Sequence, residues 1–148
     1  MPRSVQTFEV FCSPADFQTV VLDVEKFGDF MDEVVSATID EQTEDTLIAS
    51  FVTETNIGGM QLKTEYTTKY TIKPGEVTWT LVSSPTLTKN EGRWLIEAGD
   101  DDDEAKVTYE LELATNMPIP EPMQTLITDQ LVKELADSFR NRAEELFG

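Results

Sequence analysis

The chain has 148 residues, of which 39% are hydrophobic and 27% are charged, a composition typical of a soluble globular protein of one domain. Its 29 acidic residues outnumber 11 lysines and arginines, and the formal net charge of −18 argues against a nucleic-acid partner. Histidine is absent and Cys12 is the single cysteine, which excludes Ser-His-Asp and Cys-His catalysis, intrachain disulfides, and metal sites built from histidines or paired thiolates.

The N-terminal segment predicts a strand followed by two short helices. SVQTFEVFC has strand composition, and in the following CSPADF Ser13 can cap a helix whose first position is Pro14. Apolar residues continue at helical spacing until a break near Gly28. Without a histidine partner, Cys12 is expected to be a small buried hydrophobe rather than a nucleophile. We find neither a signal segment nor an apolar run of membrane-spanning length, and therefore expect a cytoplasmic protein.

Residues from about 34 to 115 carry strand signals almost throughout. Short turn signals separate six runs, and such short connections favour antiparallel neighbours, so a meander is predicted. The acidic GDDDDEAK is expected to be a solvated hairpin turn, because it lacks the spaced ligands of a calcium loop. The six runs are EVVSATID, DTLIASFVTET, MQLKTEYTTKYTI, EVTWTLVSS, LTKNEGRWLIE and AKVTYELELAT.

A single long helix is predicted for Glu121 to Phe147. The three prolines of NMPIPEP forbid regular strand pairing just before it. At 1.5 Å per residue the helix is roughly 40 Å long, enough to lie across the concave side of a twisted sheet. Its apolar face is marked by Met123, Ile127, Leu131, Leu135, Phe139 and Leu146.

The strand from Met60 to Ile72 has two different faces. Its odd positions are polar or charged, whereas its even positions mix aliphatic residues with threonines and tyrosines. Buried hydroxyls need hydrogen-bond partners, so this inner face predicts that its side chains bond to waters, to each other or to a ligand's polar group. The alternative, in which these tyrosines pack in the core with their hydroxyls reaching water, stays open.

The same alternation, applied to neighbouring strands and the long helix, predicts the lining of a ligand cavity. On the strand 87–97 we take the side of Trp94 as inner, because the opposite side is charged. Gly58-Gly59 and the NMPIPEP loop are candidates for the cavity mouth. No catalytic residue, metal ligand or cofactor is assigned. The predicted ligand-binding residues are Met60, Leu62, Thr64, Tyr66, Thr68, Tyr70, Trp79, Leu81, Asn90, Trp94, Tyr109, Met123, Ile127 and Leu131.

The element order, together with SPADFQTVVLDVEKFGDFMDEVVSATI, LTKNEGRWLIE and LADSFRNRAEELF, resembles the START-like, helix-grip superfamily. That superfamily includes polyketide cyclase/dehydrase-type proteins and small bacterial ubiquinone-binding proteins. The resemblance implies an α+β fold with two short helices after the first strand and a curved antiparallel sheet of about seven strands around the long helix. It also implies a single ligand-binding domain over residues 1–148. The sequence departs from the quinone-binding group at Met31-Asp32-Glu33, where that group usually carries a Pro-Trp-like pair.

The function expected from this resemblance is binding of a hydrophobic small molecule, such as a lipid, an isoprenoid quinone or an aromatic polyketide-like compound. One alternative is a cyclase or dehydratase that uses Tyr66 or Tyr70 as a proton donor. The other is an interaction module whose acidic surface meets a basic protein.

Overall fold

The computed structural model describes residues 3–57, 60–101 and 103–147, and of residues 55–57, 60 and 62 it describes the backbone alone. The predicted order of elements is confirmed. The elements are β1 (Arg3–Val10), α1 (Pro14–Leu22), a 3₁₀ helix (Val24–Asp29), β2 (Val34–Gln42), β3 (Thr46–Ile57), β4 (Met60–Lys73), β5 (Glu76–Ser83), β6 (Leu87–Ala98), β7 (Ala105–Thr115) and α2 (Glu121–Phe147).

Within these residues seven strands form one antiparallel sheet in the order β1-β7-β6-β5-β4-β3-β2. Strands β2 to β7 follow one another as hairpins, and β1 returns to pair with β7. Register shifts in the β2–β3, β4–β5 and β6–β7 pairs mark bulges, which bend a sheet locally. Helix α2 packs on β1 and β7. The predicted α+β helix-grip fold is therefore confirmed.

Hydrogen bonds hold helix α1 in two places, at its first residues and at Gln18, which binds the β4–β5 turn. The hydroxyl of Ser13 accepts a hydrogen bond from the amide of Asp16 at 3.2 Å, as the capping pattern predicts. The Gln18 side chain donates to the carbonyl of Lys73 and accepts from the amide of Gly75, both at 2.9 Å. Gly75 has a φ of +77°, which suits glycine in the β4–β5 turn. The turn thus holds α1 against the sheet.

The predicted bounds of α2 are confirmed, but its buried stripe is rotated from the predicted apolar face. Met123 and Leu146 are 42% and 49% exposed. The small residues Ala136 and Ala143 in this stripe allow the helix to approach the sheet closely. The larger Ile127, Leu131 and Leu135 lie beside the stripe and are partly buried. The buried positions are Thr128, Val132, Ala136, Phe139 and Ala143.

No helix in the part of the chain described is both long and apolar enough to cross a membrane.

An aromatic cluster joins the helices to the sheet. The ring of Phe139 on α2 meets Phe27 edge-on at 5.2 Å between centroids and Trp94 on β6 at 4.9 Å. Trp94 in turn stacks on Tyr109 of β7 at 4.1 Å. Such contacts bury large areas in fixed orientations, so they set the distance between α2 and the inner face of the sheet.

The acidic segment before β7 forms the predicted hairpin turn, with the amide of Gly99 donating to the carbonyl of Glu104 at 2.9 Å. Asp102 lies outside the described residues. Asp100, Asp101 and Asp103 are exposed, so water solvates their charges.

Candidate functional site

A cavity of about 180 Å³ lies between the inner face of the sheet and α2. One water molecule needs roughly 15 Å³ by a comparable measure, so the space suits an organic molecule. Aliphatic and aromatic side chains make most of its wall. The lining residues are Val21, Phe27, Met31, Glu33, Val34, Phe51, Thr53, Thr64, Tyr66, Thr68, Tyr70, Trp79, Leu87, Asn90, Trp94, Tyr109, Leu111, Leu113, Ala114, Thr115, Met117, Ile119, Gln124, Ile127, Thr128, Leu131, Leu135 and Phe139.

The structure brings most of the sequence-predicted site residues together at this wall. Asn90 and Trp94 are 5% and 3% exposed. They lie on the side of β6 that was predicted to face inward because the opposite side is charged. The predicted residues at the cavity are Thr64, Tyr66, Thr68, Tyr70, Trp79, Asn90, Trp94, Tyr109, Ile127 and Leu131.

Two predicted site residues do not reach the cavity. Leu81 lies opposite Thr68 across the β4–β5 ladder, but the pairing of β5 with β6 ends at Trp79, and Leu81 lies beyond that point. Met123 is in the first turn of α2, one turn before Ile127, and it is largely exposed. The side chains of Met60 and Leu62 lie outside the described residues, as do Gly58 and Gly59 of the predicted mouth.

Several lining residues escaped the sequence analysis because bulges interrupt strand alternation. Leu87 has the opposite parity to Trp94, yet a register shift between Leu87 and Lys89 brings it to the cavity. Glu33 precedes β2, where a shift between Val34 and Ser36 likewise breaks the alternation. Phe51 and Thr53 on β3 were detectable, since they share the parity of the fully buried Leu47 and Ala49.

The sheet side of the cavity carries a row of aromatic rings that crosses the strands. Phe51 on β3 stacks with Tyr66 on β4 at 5.1 Å between centroids. Tyr70 on β4 meets Trp79 on β5 at 5.7 Å, and Trp79 meets Tyr109 on β7 at 5.8 Å. Because rings present flat apolar faces, this row can hold a planar or extended hydrophobic molecule against the sheet.

The three tyrosines of this row are held in their neutral form. Burial raises the pKa of Tyr70 to about 12, with the nearby Thr68 hydroxyl acting in the opposite direction. Burial also raises the pKa of Tyr66, with smaller contributions from Tyr70 and Glu33, and the pKa of Tyr109, with smaller contributions from Tyr70 and Tyr66. The phenols can therefore donate hydrogen bonds at neutral pH, but they are poor bases.

A buried polar pair lies among these rings. The indole nitrogen of Trp79 donates to the Oδ1 of Asn90 at 3.1 Å. This bond fixes the orientation of the Asn90 amide and leaves its NH₂ group without a hydrogen bond to another described residue. The hydroxyl of Thr68, which is fully buried, also has no well-aligned partner among those residues. Both groups can serve a ligand's polar atoms.

Glu33 places a carboxyl group at the β2–β3 side of the cavity. Its Oε1 atom is buried and has no hydrogen-bond partner among the described residues. Burial raises the pKa of this carboxyl; a backbone hydrogen bond opposes the rise, whereas Glu134 and Asp32 add to it. The wall therefore includes one unmatched hydrogen-bond acceptor.

The loop between β7 and α2 lies at one end of the cavity, as expected for the NMPIPEP segment. Met117 and Ile119 contribute to the lining. The Gln124 side chain donates to the carbonyl of Ile119 at 2.7 Å, and the amide of Met117 donates to the Thr115 hydroxyl at 3.2 Å. At the start of the loop, Asn116 donates from its backbone amide to the carbonyl of Thr86 at 3.0 Å and from its side chain to the carbonyl of Pro85 at 3.3 Å, so the loop is anchored to the β5–β6 connection.

Cys12 is buried, as predicted, with 2% of its surface exposed, and it does not line the cavity. Burial, reinforced by Asp16 and Glu144, raises the pKa of its thiol to about 11. A thiol of this kind is protonated at neutral pH and is a weak nucleophile.

The chemistry that the cavity residues support is apolar binding, with hydrogen bonds from neutral donors and to a carboxyl acceptor.

A family described as polyketide cyclase / dehydrase and lipid transport matches residues 13–140. No curated protein matches the chain significantly.

Solved structures from bacteria share the fold over nearly the whole chain. A START superfamily protein from Mycobacterium smegmatis is 20% identical, with a TM-score of 0.81 and coverage of 97% of this chain and 98% of the other. The Zhui aromatase/cyclase from Streptomyces sp. R1128 is 14% identical, with a TM-score of 0.76 and coverage of 96% and 93%. A STAR-related lipid transfer protein from Xanthomonas axonopodis is 13% identical, with a TM-score of 0.76 and coverage of 95% and 85%.

Proposed function

Because the chain belongs to the polyketide cyclase / dehydrase and lipid transport family, we propose that it binds a hydrophobic small molecule in the cavity between the sheet and α2. The observation that carries the proposal is the cavity itself, whose largely apolar wall holds a few unpartnered polar groups. This combination is the usual form of a small-molecule site. In this proposal residues 1–148 act as one ligand-binding domain.

Lipids, isoprenoid quinones and aromatic polyketide-like compounds have the chemistry that such a wall accepts. Burial of apolar surface supplies roughly 25 cal/mol per Å² before the costs of ordering are subtracted. The aromatic row provides most of that surface on the sheet side. The phenols of Tyr66 and Tyr70 and the NH₂ group of Asn90 would orient the ligand's polar atoms.

A cyclase or dehydratase activity is the second candidate function, because the phenols of Tyr66 and Tyr70 border the cavity, although burial raises their pKa and makes them weaker acids. Tyr66 or Tyr70 would donate a proton while the wall holds a reactive conformer. Replacement by phenylalanine separates the two candidates. Retained binding with loss of turnover would establish the enzyme, whereas a carrier would show changed affinity alone.

Mass spectrometry under native conditions, on protein purified from its own host, tests the proposal directly. We expect a bound apolar molecule at one per chain, which extraction would then identify. Titration calorimetry with the neutral probe N-phenyl-1-naphthylamine provides a second test, which does not require a ligand to survive purification.

A pair of tryptophan substitutions on α2 locates the binding site. Ile127→Trp places an indole in the cavity and should weaken the probe at least about tenfold, because the added volume occupies the ligand's space. Leu126→Trp is the matched control, since Leu126 is adjacent in sequence and 62% exposed. Equal affinities for the two variants would contradict the cavity as the binding site.

A further inference from the structure

Glu33 has an unusual position for a carboxylate. It immediately precedes β2, and its carbonyl accepts a hydrogen bond from the amide of Glu54 at 2.8 Å, which ties this backbone to β3. The next residue, Val34, pairs with Thr53, so Glu33 lies beside the wall formed by β2, β3 and β4. Its Oε1 atom is buried there without a partner among the described residues. An unmatched buried acceptor is costly, and a ligand that supplies a donor would remove that cost.

The cavity has no cation in its described lining. On β6, which also borders the cavity, the cations lie on the outer face, where Arg93 pairs with Glu110 at 3.2 Å and Lys89 pairs with Glu112. The charged groups that act most strongly on Glu33 are the acidic Glu134 and Asp32. A ligand carboxylate or phosphate would therefore meet repulsion and desolvation in this space, with no compensating ion pair.

The remaining polar groups are arranged as donors on the other parts of the wall. Tyr66 and Tyr70 carry neutral phenols, and the Oδ1 atom of Asn90 is already occupied by Trp79, which leaves its NH₂ group to donate. Glu33 thus supplies a carboxylate acceptor, whereas the other unengaged groups, including the Thr68 hydroxyl, can each donate. The pattern matches a molecule that has a hydroxyl at one end and acceptor oxygens elsewhere.

We propose that the cavity selects uncharged hydrophobic molecules that carry a hydroxyl group, which donates to the Glu33 carboxyl, and that it rejects molecules carrying a carboxylate or phosphate. This inference rests on the proposed function and adds a ligand class to it. It excludes fatty acids and phospholipid headgroups from the cavity, and it favours phenols, alcohols and hydroxylated ring systems.

Three matched naphthalenes test the inference by titration calorimetry at pH 7.5: 2-naphthol, 2-methoxynaphthalene and 2-naphthoate. The first donates a hydrogen bond, the second has the same ring without a donor, and the third is an anion. A hydrogen bond to a charged group is worth enough to change affinity by about tenfold or more. We expect 2-naphthol to bind about tenfold tighter than 2-methoxynaphthalene, and 2-naphthoate to bind weakest.

Substitutions at Glu33 assign the preference to this residue. Glu33→Met removes the acceptor and should bring 2-naphthol and 2-methoxynaphthalene to within about twofold of each other. Glu33→Gln keeps the shape, removes the charge and adds a donor, so the affinity for 2-naphthoate should rise. Asp32→Asn is the matched control, because it removes one negative charge at the exposed neighbouring residue and should leave the order of affinities unchanged.

The outcomes separate this inference from the proposed function. If neither neutral naphthalene nor N-phenyl-1-naphthylamine binds the wild-type protein, the proposed function fails and the inference falls with it. If the neutral compounds bind but 2-naphthoate binds equally well, the cavity function stands and the selectivity is wrong. An unchanged preference for 2-naphthol in both Glu33 variants also overturns the inference.

Discussion

The two faces of strands β6 and β7 carry opposite chemistry on a shared backbone. On the inner face Trp94 and Tyr109 stack at 4.1 Å between centroids and border the cavity. On the outer face Arg93 and Glu110 form an ion pair at 3.2 Å. Both of these charged side chains are partly exposed, so the alternation of the strands places charge on the outer face and concentrates apolar surface toward α2.

This difference indicates which face holds the fold together. Ion pairs near water contribute little net free energy, since the charges are well solvated when they separate. Aromatic contacts on the inner face remove large areas from water and leave cavities when they are truncated. Removal of a side chain of a given size should therefore lower the free energy of unfolding much more on the inner face than on the outer face.

The largest effect is expected for Phe139→Ala. Phe139 is 4% exposed and contacts Phe27, Phe30 and Trp94, so its removal should lower the free energy of unfolding by about 4 kcal/mol. Urea denaturation, followed by circular dichroism, measures this change. Phe147→Ala on the same helix is the control, because Phe147 is 42% exposed and should cost less than about 1 kcal/mol. Comparable losses in the two variants would contradict the assigned importance of the inner face.

The next largest effect is expected at Gly92, where the absence of a side chain leaves room for the Trp79 ring. A Cβ atom added there would lie 2.3 Å from the Trp79 ring and 2.4 Å from the carbonyl oxygen of Glu110. Gly92→Ala should therefore displace the Trp79 ring and lower the free energy of unfolding by about 2 kcal/mol, as measured by urea denaturation. Gly28→Ala is the control, since its nearest atom would lie at an ordinary 3.6 Å. A Gly92 variant as stable as this control would show that the Trp79 ring and the strand backbone both adapt at little cost.

The sequence predicted the fold well because each element carries its own local signal. Ser13 and Pro14 mark the start of α1, and the turn residues separate β2 to β7, each of which pairs with the next strand in the chain. The inner face of β4 was predicted by alternation, and Thr64, Tyr66, Thr68 and Tyr70 do border the cavity. Whether these residues bind a ligand stays a prediction.

The rest of the site depends on features that alternation cannot encode. The register shift after Leu87 changes which residues of β6 face inward, and Glu33 lies just before β2, so neither residue carried a periodic signal. On α2 the closest approach follows small residues such as Ala136 rather than the largest apolar ones. That choice is made by packing against the sheet, which a helical pattern alone does not reveal.

The smallest effect, and the sharpest contrast, concerns glutamates on the two faces. Burial raises the pKa of Glu33 above its ordinary value of 4.5, whereas the hydrogen bond from Lys89 lowers the pKa of Glu112 below that value. Ionised Glu33 therefore destabilises the unliganded fold, and this cost appears only as the pH rises from 4.5 through the folded-state pKa. The stabilisation from Glu112 is present above 4.5 and is lost as the pH falls through its folded-state pKa.

Substitution to glutamine should consequently shift the melting temperature in opposite directions. At pH 7.5 without ligand, Glu33→Gln should melt slightly above the wild type, and the difference should vanish below pH 4.5, where the wild-type carboxyl is protonated in both states. Glu112→Gln should melt slightly below the wild type at pH 7.5. This difference should shrink only as the pH falls from 4.5 through the lowered folded-state pKa of Glu112. Calorimetric melting curves between pH 3.5 and 8 measure both differences. Shifts of the same sign would mean that the Glu33 carboxyl finds a stabilising partner when it ionises, and that the cavity wall is less apolar around it than its contacts indicate.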